Sequence, residues 1–298
     1  MVISRFAPAP TGYLHLGHVL NAVYVWGITR ALGGRVLLRI EDHDAQRSRA
    51  EYETALLDDL DWLGFVPDDP PPAAFRGGPC QGRQSDRQQF YRDALDALRT
   101  AGLVYACDCS RSQLTAGGDG ELRYPGTCAG KRLDERPDRG LRVRLAASVE
   151  RFQDLRHGVQ VQRPSEQCGD LLFRDRHGNW TYQFVAAVDD WLQGVTLVIR
   201  GDDLLASTGR QIQLARLLGR DQPPRFLHHS LIMKSPTQKL SKADRDTSVL
   251  DLRVDGWSPE AVIGRAMLLG GLVEPEAPID AATAGNLAAG RFVLSGRE

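Results

Sequence analysis

Hydrophobic and polar positions follow a strand–helix–strand order at the start of the chain. Val2–Phe6 predicts a short strand, which the Pro- and Gly-rich turn Ala7–Gly12 follows. A continuous apolar segment, Leu14–Leu32, has the length of a helix and stops at Gly33-Gly34, a typical C-terminal cap. Arg35–Ile40 predicts the next strand. This order is typical of a parallel α/β sheet with right-handed crossovers.

The helices that continue this pattern carry start signals. Ser48 with Glu51 predicts a capping box before the helix Tyr52–Leu63, and Ser85 with Gln88 opens the next helix. From Tyr105 to Trp180 the pattern breaks, which indicates an inserted subdomain. The elements predicted after the break are a helix at Phe184–Trp191, a strand at Val195–Arg200, a helix near Leu204–Leu218, a strand at Arg225–Met233, and a last helix with Ser258 as N-cap and Pro259 in its first turn.

Composition excludes several classes of protein. The chain has 298 residues, 42% hydrophobic, with a formal net charge of -1, which argues against disorder. No apolar stretch approaches the roughly 20 residues of a membrane span, and Arg5 and Pro8 interrupt any signal peptide, so a cytoplasmic protein is expected. Five cysteines, an odd number, indicate reduced thiols, some of them available to a metal. Any nucleic-acid surface must be a local basic face.

Two histidines flank a glycine at the predicted start of the first helix, in the order His15-Leu16-Gly17-His18. A helix N-terminus attracts phosphate, histidines add donors toward phosphate oxygens, and a glycine lets a nucleotide approach the backbone. The placement after the first strand of an α/β domain favours a nucleotide site. Two ordinary surface histidines are the alternative.

Lysine use is concentrated in one segment. Four of the 37 basic residues are lysines, and Lys234, Lys239 and Lys242 fall within nine residues. A loop with ammonium groups can close over a triphosphate and neutralise developing charge. Clustering alone leaves a solvated loop equally possible.

A cysteine pattern occupies the predicted insert. Cys107-x-Cys109 is followed by Tyr124-x-x-x-Cys128, and thiolates are preferred zinc ligands. From the spacing alone, the pattern is either a zinc site or a set of free buried thiols. Cys80 and Cys168 lie outside it and are expected to be ordinary thiols.

Taken together, these segments resemble a known family. His15–His18 and Lys239–Ala243 are similar to the HIGH and KMSKS signatures of class I aminoacyl-tRNA synthetases. Arg5–Gly12 resembles Arg-Phe-Ala-Pro-Ser-Pro-Thr-Gly of the glutamyl branch, and Arg39–Asp42 resembles its Arg-Ile-Glu-Asp. Further matches in the same order are Tyr182, Val188–Asp190, Gly194–Thr196 and Ile199–Gly201. The resemblance covers about residues 2–243.

This resemblance implies an α/β fold with a Rossmann-like class I synthetase catalytic domain. Its halves would be residues 1–104 and 181–224, separated by a zinc-bearing, RNA-accepting insert at 105–180. Residues 225–298 would hold the lysine loop and a small C-terminal helical domain that resembles a stem-contact domain. Because only 55 residues follow Ala243, no anticodon-binding domain is expected.

The resemblance also implies a substrate site for L-glutamate and ATP. Arg5 and Arg200 would pair with the side-chain carboxylate, Tyr182 would donate to it, and Glu41 would pair with the ammonium group. His15, His18 and Lys242 would be catalytic and stabilise the phosphates, with Mg²⁺ accompanying ATP. The implied sets are Arg5, Phe6, Ala7, Pro8, Ala9, Glu41, Tyr182 and Arg200 for glutamate, and His15, Gly17, His18, Lys239 and Lys242 for ATP.

Two positions near this site have another interpretation. Ala9 stands where the family usually has Ser, so a hydroxyl contact to the substrate is missing. The acidic cluster Glu41–Asp44 could bind a divalent metal, or it could be a plain solvated turn.

The cysteine pattern and the length resemble a shortened paralogue within the glutamyl branch, in which three Cys and one Tyr hold a structural zinc. That resemblance implies one zinc at Cys107, Cys109, Tyr124 and Cys128. It also implies transfer of glutamate to the queuosine base in the anticodon of tRNA(Asp), by a monomer without a membrane partner. The alternatives are a truncated enzyme that charges a tRNA 3′ end, a nucleotidylyltransferase of another family, and a non-catalytic RNA-binding relic.

Overall fold

The computed structural model describes residues 1–117, 122–235, 238–239 and 247–292. Its strands are β1 (Ile3–Phe6), β2 (Arg35–Leu38), β3 (Val104–Cys107), β4 (Thr115–Ala116), β5 (Leu122–Arg123), β6 (Gly140–Val143), β7 (Glu150–Asp154), β8 (Gly158–Gln162), β9 (Leu171–Arg174), β10 (Leu197–Gly201), β11 (Arg225–His229), β12 (Met233–Ser235) and β13 (Gln238–Lys239). Its helices are α1 (Leu16–Ala31), α2 (Ala50–Leu63), α3 (Pro72–Arg76), α4 (Gln88–Thr100), α5 (Pro164–Gln167), α6 (Tyr182–Leu192), α7 (Thr208–Leu217), α8 (Val249–Val254), α9 (Pro259–Leu269) and α10 (Ala281–Phe292). The mixed α/β class predicted from the sequence is confirmed.

The chain forms two compact units. The first unit comprises Met1–Asp86, Val195–Asp203 and Phe226–Glu298, and the second unit comprises Arg87–Gly194 and Leu204–Arg225. The domain boundaries inferred from the sequence stay a prediction. Within the described part of the chain, no helix combines the length and the hydropathy needed to cross a bilayer.

In the first unit, strands β1, β2 and β10 pack against one buried helix, α1. β1 and β2 pair in parallel with Ile3 opposite Arg35, and the backbone N–H of Thr196, just before β10, donates to Ile3 O at 2.9 Å. β11 lies next to β10. Helix α1 packs on β1, β2 and β10 and is buried on most of its surface, which explains its nearly continuous apolar sequence. The parallel pairing of β1 and β2 across α1 confirms the predicted βαβ start.

The C-terminal helices of the first unit close over α1. Gly27 of α1 and Gly285 of α10 meet so closely that a Cβ on Gly27 would lie 2.2 Å from Gly285 O. Ser258 Oγ caps α9 by accepting from Ala261 N at 3.2 Å, as its sequence predicts. Helix α10 was not predicted, because its small residues give little periodic contrast.

The second unit is built on a three-stranded antiparallel sheet with the order β3-β6-β9. Tyr91 and Leu95 of α4 and Phe184 of α6 pack with Val143 and Phe173 of this sheet in one core. A separate hairpin joins β7 to β8 with Glu150 opposite Gln162.

Two predicted helix starts are wrong in detail. Helix α2 begins at Ala50, and its N-cap Arg49 makes no side-chain cap bond. Among the described residues, Ser48 Oγ has no hydrogen-bond partner. The backbone N–H of Arg49 donates to Pro10 O at 3.0 Å, so a tertiary contact sets this start instead of a capping box. Helix α4 begins at Gln88 after a 3₁₀ turn at Gln84–Arg87, again without a side-chain cap.

Candidate active site and metal cluster

Backbone hydrogen bonds continue the pairing of β1 and β2 into the loops that follow these strands. Arg39 N donates to Phe6 O at 2.9 Å and Glu41 N donates to Pro8 O at 3.0 Å. The segment Phe6–Ala9, which is predicted to bind glutamate, therefore runs beside the segment that contains Glu41. In α/β sheets, ligands bind at the carboxyl ends of the parallel strands.

Two buried arginines stand on neighbouring strands of the first unit. Arg5 and Arg200 are each only 4% exposed. Arg5 Nη1 donates to the carbonyl of Ile199 at 3.2 Å, which ties it to the strand that carries Arg200. The structure thus brings Arg5 to the strand that carries Arg200, although almost two hundred residues separate them in the sequence. Buried guanidinium groups bind a carboxylate strongly because little water competes.

Arg200 has a partner that the sequence reasoning missed. Its Nε donates to Nε2 of the fully buried His228 at 3.0 Å. Since Nε2 accepts, His228 carries its proton on Nδ1. His228 thereby fixes the direction of the Arg200 fork. The signal in the sequence was weak, since His228 is one of two adjacent histidines in a strand.

Glu41 is held by a second residue that was not singled out. Arg39 is fully buried, and its Nη2 lies 3.0 Å from Glu41 Oε1. This ion pair fixes the orientation of the Glu41 carboxylate, which suits a group proposed to receive a substrate ammonium.

The remaining acids of the Glu41–Asp44 cluster already have protein partners. Asp42 Oδ1 accepts from Ser85 N at 2.7 Å, and Asp44 Oδ2 pairs with Arg47 at 2.6 Å. Burial raises the pKa of Asp42, although hydrogen bonds from Ser85 oppose the shift. Among the described residues, the grouping of potential metal ligands that the structure shows is the cysteine cluster and not this acidic segment. The interpretation as an ordinary turn is favoured.

The two histidines at the start of α1 cap the helix reciprocally. His15 Nδ1 accepts from Gly17 N at 3.1 Å, while His18 Nδ1 accepts from His15 N at 3.1 Å. In both rings Nδ1 is an acceptor, so in the neutral imidazole the proton is on Nε2. The ring centroids lie 3.9 Å apart. A Cβ on Gly17 would lie 2.9 Å from His15 Cε1, so a side chain at this position would displace the His15 ring.

The residues that follow the lysine segment contact the start of α1. Lys242 lies outside the described residues, and of Lys239 only the backbone, in the β12–β13 hairpin, is described. Ser248 forms an isolated β-bridge with His15, and Val249 N donates to Leu14 O at 2.7 Å. Ser248 and Val249 therefore lie next to the start of α1.

Tyr182 belongs to the second unit, where it is the first residue of α6. The structure thus groups Arg5, Glu41 and Arg200 with His15 and His18 in the first unit. The contribution of Tyr182 to glutamate binding stays a prediction.

Three cysteines of the second unit gather around one point. The sulfur atoms of Cys107, Cys109 and Cys128 all lie within 4.8 Å of one another. Tyr124 Oη is 3.6 Å from Cys107 Sγ and accepts from Cys128 N at 2.8 Å. Tetrahedral zinc with bonds of about 2.3 Å separates its sulfur ligands by about 3.8 Å, so these donors fit the metal. The cluster could hold a metal ion, one of the two interpretations that the spacing left open and the one that the family resemblance implied.

A buried arginine lies against this cysteine cluster. Arg142 Nε donates to Cys107 Sγ at 3.3 Å, and its guanidinium carbon is 3.6 Å from the centroid of the Tyr124 ring. Burial would raise the pKa of Cys107, but the hydrogen bonds from Arg142 and its neighbours lower that pKa overall. Burial and the adjoining thiols raise the pKa of Cys109 to about 11. A thiolate set needs such a cation because three sulfur charges repel one another.

The chain is similar to known proteins over most of its length. The family model of class I tRNA synthetases (E and Q), catalytic domain, matches residues 1–279. The chain belongs to this family of class I aminoacyl-tRNA synthetases, which are ligases. Its resemblance to the shortened paralogue is confirmed by a glutamyl-Q tRNA(Asp) synthetase of Nitratidesulfovibrio vulgaris, 39% identical over 94% of this chain and 90% of that protein.

Longer relatives share the same region. A protein named glutamate–tRNA ligase 2, from Syntrophus aciditrophicus, is 37% identical over 89% of this chain, but the match spans only 57% of that ligase. A crystal structure of a glutamate tRNA ligase from Elizabethkingia meningosepticum, in complex with its amino acid, has a TM-score of 0.75 and 27% identity. That match covers 97% of this chain and 65% of the solved one.

Proposed function

We propose that this protein activates L-glutamate with ATP and transfers the glutamyl group to the queuosine base in the anticodon of tRNA(Asp). The observation that carries glutamate activation is the pair of buried arginines in the first unit: Arg5 is bonded to the strand that carries Arg200, and Glu41 belongs to the same unit. Two cations and one anion match the side-chain carboxylate and the ammonium group of glutamate. The α-carboxylate stays available for reaction.

In the first step, an oxygen of the glutamate α-carboxylate attacks the α-phosphorus of ATP in line, and pyrophosphate leaves. His15 and His18 offer Nε2–H groups to phosphate oxygens, because their Nδ1 atoms already accept backbone hydrogen bonds. Lys242 supplies a positive charge to the developing pyrophosphate. Mg²⁺ would accompany ATP and be held mainly by phosphate oxygens.

In the second step, a hydroxyl oxygen of queuosine attacks the glutamyl carbonyl, an ester forms, and AMP leaves. Support for this acceptor comes from the shortened relative, which is named glutamyl-Q tRNA(Asp) synthetase. The match with this chain covers 90% of that protein. An anticodon loop can present an unstacked base to a protein.

Zinc is proposed at Cys107, Cys109, Tyr124 and Cys128. Four protein donors leave no open coordination position, so the metal would be structural and would fix the fold around the cysteine cluster.

The first test is ATP–pyrophosphate exchange with glutamate or glutamine and no RNA. We expect exchange with glutamate and strong rejection of glutamine, which would leave Arg5 and Arg200 without a charged partner. Lys242→Ala should slow exchange by orders of magnitude. Comparable exchange with glutamine would refute the assignment of the pocket, and a change below about threefold in the variant would refute the role of Lys242.

The second test concerns the acceptor. Labelled glutamate is supplied with ATP to tRNA(Asp) with queuosine, to tRNA(Asp) without it, and to tRNA(Glu). We expect label on the modified base of the first RNA alone. Label at a 3′ terminal ribose would instead favour a glutamate–tRNA ligase, the function named for the longer relative. Absence of all exchange would favour a non-catalytic RNA-binding protein.

A further inference from the structure

A cavity opens beside the cysteine cluster of the second unit. Its volume is about 470 Å³, and the residues around it include Arg111, Arg142, Leu114, Leu172, Asp175 and Arg176. Ligand pockets commonly measure about 300–1,000 Å³, so this cavity has room for one nucleotide. Nothing in the proposed chemistry of adenylation uses it.

The cavity has a surplus of positive charge. Within the described residues, neither Arg111 nor Arg176 is ion-paired with a carboxylate, and Arg176 Nη2 donates only to the carbonyl of Cys109, at 3.1 Å. Arg111, Arg142 and Arg176 line the cavity with one carboxylate, that of Asp175, so positive charge is in excess. The oxygens of Asp175 are bonded to His177 N at 2.8 Å and to the backbone and amide nitrogens of Asn179. Two guanidinium groups are thus available to an anion.

The walls of the cavity are apolar beside these cations. Leu114 and Leu172 line it together with Arg111 and Arg176. A nucleotide whose base is unstacked presents a charged phosphate beside a flat, largely apolar base, and the cavity offers a partner for each. Arginine suits such a site because its planar fork binds phosphate and stacks on bases.

The position of the arginines is linked to the cysteines. The carbonyl that holds Arg176 belongs to Cys109, and Arg111 follows two residues later in a 3₁₀ turn with Ser110 as its cap. A metal on Cys109 would fix this short segment and with it both guanidinium groups.

We propose that this cavity binds one unstacked nucleotide of the RNA substrate, with Arg111 and Arg176 on its phosphate. The inference rests on the proposed function, because it requires an RNA acceptor, and it adds the place where that RNA is held.

The test uses the zinc-loaded, full-length protein and a fluorescein-labelled RNA hairpin with the sequence of the tRNA(Asp) anticodon stem-loop. Fluorescence anisotropy gives the Kd at several salt concentrations for the wild type, Arg111→Gln and Arg176→Gln. The matched control is Arg151→Gln, which removes an exposed arginine on β7 of the same unit, outside the cavity lining.

We expect each cavity variant to weaken binding about tenfold and to lower the slope of log K against log salt by about 0.7, the loss of one single-strand phosphate contact. Arg151→Gln should stay within about twofold, and glutamate-dependent exchange without RNA should be unchanged in all variants. Removing zinc with a chelator should weaken binding as the cavity variants do.

The outcomes separate the two proposals. Tight wild-type binding that neither cavity variant changes would overturn the cavity and leave the acceptor proposal in place. No binding by the wild type, with exchange intact, would overturn both. Equal weakening by Arg151→Gln would mean that a diffuse charge and not the cavity holds the RNA. If polyglutamate displaces the hairpin from the wild type but not from the cavity variants, an acidic peptide is the better ligand.

Discussion

At the scale of single residues, Gly17 leaves room for the His15 ring at the proposed phosphate site. The His15 ring occupies the space in which a Cβ on Gly17 would lie, 2.9 Å from Cε1. The His15 ring must therefore move when this position gains a methyl group. Because the ring both caps the helix and is proposed to donate to phosphate, its displacement affects activity more than folding.

We predict that Gly17→Ala lowers the rate of glutamate-dependent exchange by at least tenfold while the free energy of unfolding changes by less than about 1 kcal/mol, since alanine favours helix over glycine. The control is Gly290→Ala in α10, where a Cβ meets no atom within 4 Å. Exchange kinetics and urea unfolding check both variants. Normal exchange in Gly17→Ala would contradict the role given to His15.

His228 is expected to act through Arg200 and to be a positioning residue. We predict that His228→Leu raises the KM for glutamate about tenfold or more with little change in kcat, because a hydrogen bond to a charged group contributes about 1.5–3 kcal/mol. His228→Gln retains an acceptor and should restore most of the affinity. If both variants lose kcat and keep KM, the bond from Arg200 Nε to His228 does not serve substrate binding.

At the scale of elements, α2 contains a carboxyl group that lacks compensation. Asp59 is 1% exposed, and within the described part of the chain neither of its carboxylate oxygens has a hydrogen-bond partner. Burial raises the pKa of Asp59 to about 7, which the charge of Arg253 opposes and that of Asp58 supports. The folded protein therefore keeps a proton that the unfolded chain releases near pH 4.

Between about pH 4 and pH 7 the folded state binds more protons at Asp59, so stability should fall as the pH rises and level off above 7. The total is at most on the order of 4 kcal/mol. Asp59→Asn should remove this part of the slope, whereas Asp58→Asn, at the exposed neighbour on the same helix, should not. Urea unfolding of the three proteins at pH 5 and pH 7 makes the comparison. Equal slopes in all three would show that Asp59 is not protonated in the folded protein.

At the scale of the whole molecule, the residues proposed for adenylation and the cysteine cluster belong to different compact units. Arg5, Glu41, Arg200 and the two histidines lie in the first unit, and the cysteines lie in the second. Loss of metal should therefore affect the two steps of the reaction unequally.

We predict one zinc per chain, lost in Cys128→Ser and retained in Cys168→Ser. Cys168 is the control because it is also buried in the second unit, where its Sγ donates a hydrogen bond to Pro164 O at 3.2 Å. Cys128→Ser should keep the kcat of exchange within about threefold and lower the rate of transfer to RNA by tenfold or more. Elemental analysis and the two assays decide. Zinc in Cys128→Ser, or equal loss of both rates, would contradict the structural role.

The sequence by itself determined the elements and the motifs, because both are local. Apolar runs and glycine stops located α1, β1, β2 and most of α6, and the spacing of Cys107, Cys109, Tyr124 and Cys128 brought out a cluster that the structure confirms as a possible metal site. Local signals failed where distant backbone intervened, as at the start of α2, which Pro10 sets.

Only the tertiary structure decided what holds these residues in place. Arg5 reaches Ile199 across 194 positions, and Arg142 meets Cys107 across 35. Neither His228 nor Arg142 stands out in the sequence, because an ordinary histidine or arginine becomes a positioning group only when burial removes competing water. Periodicity records which face of an element is buried, but it does not record which buried polar atoms meet.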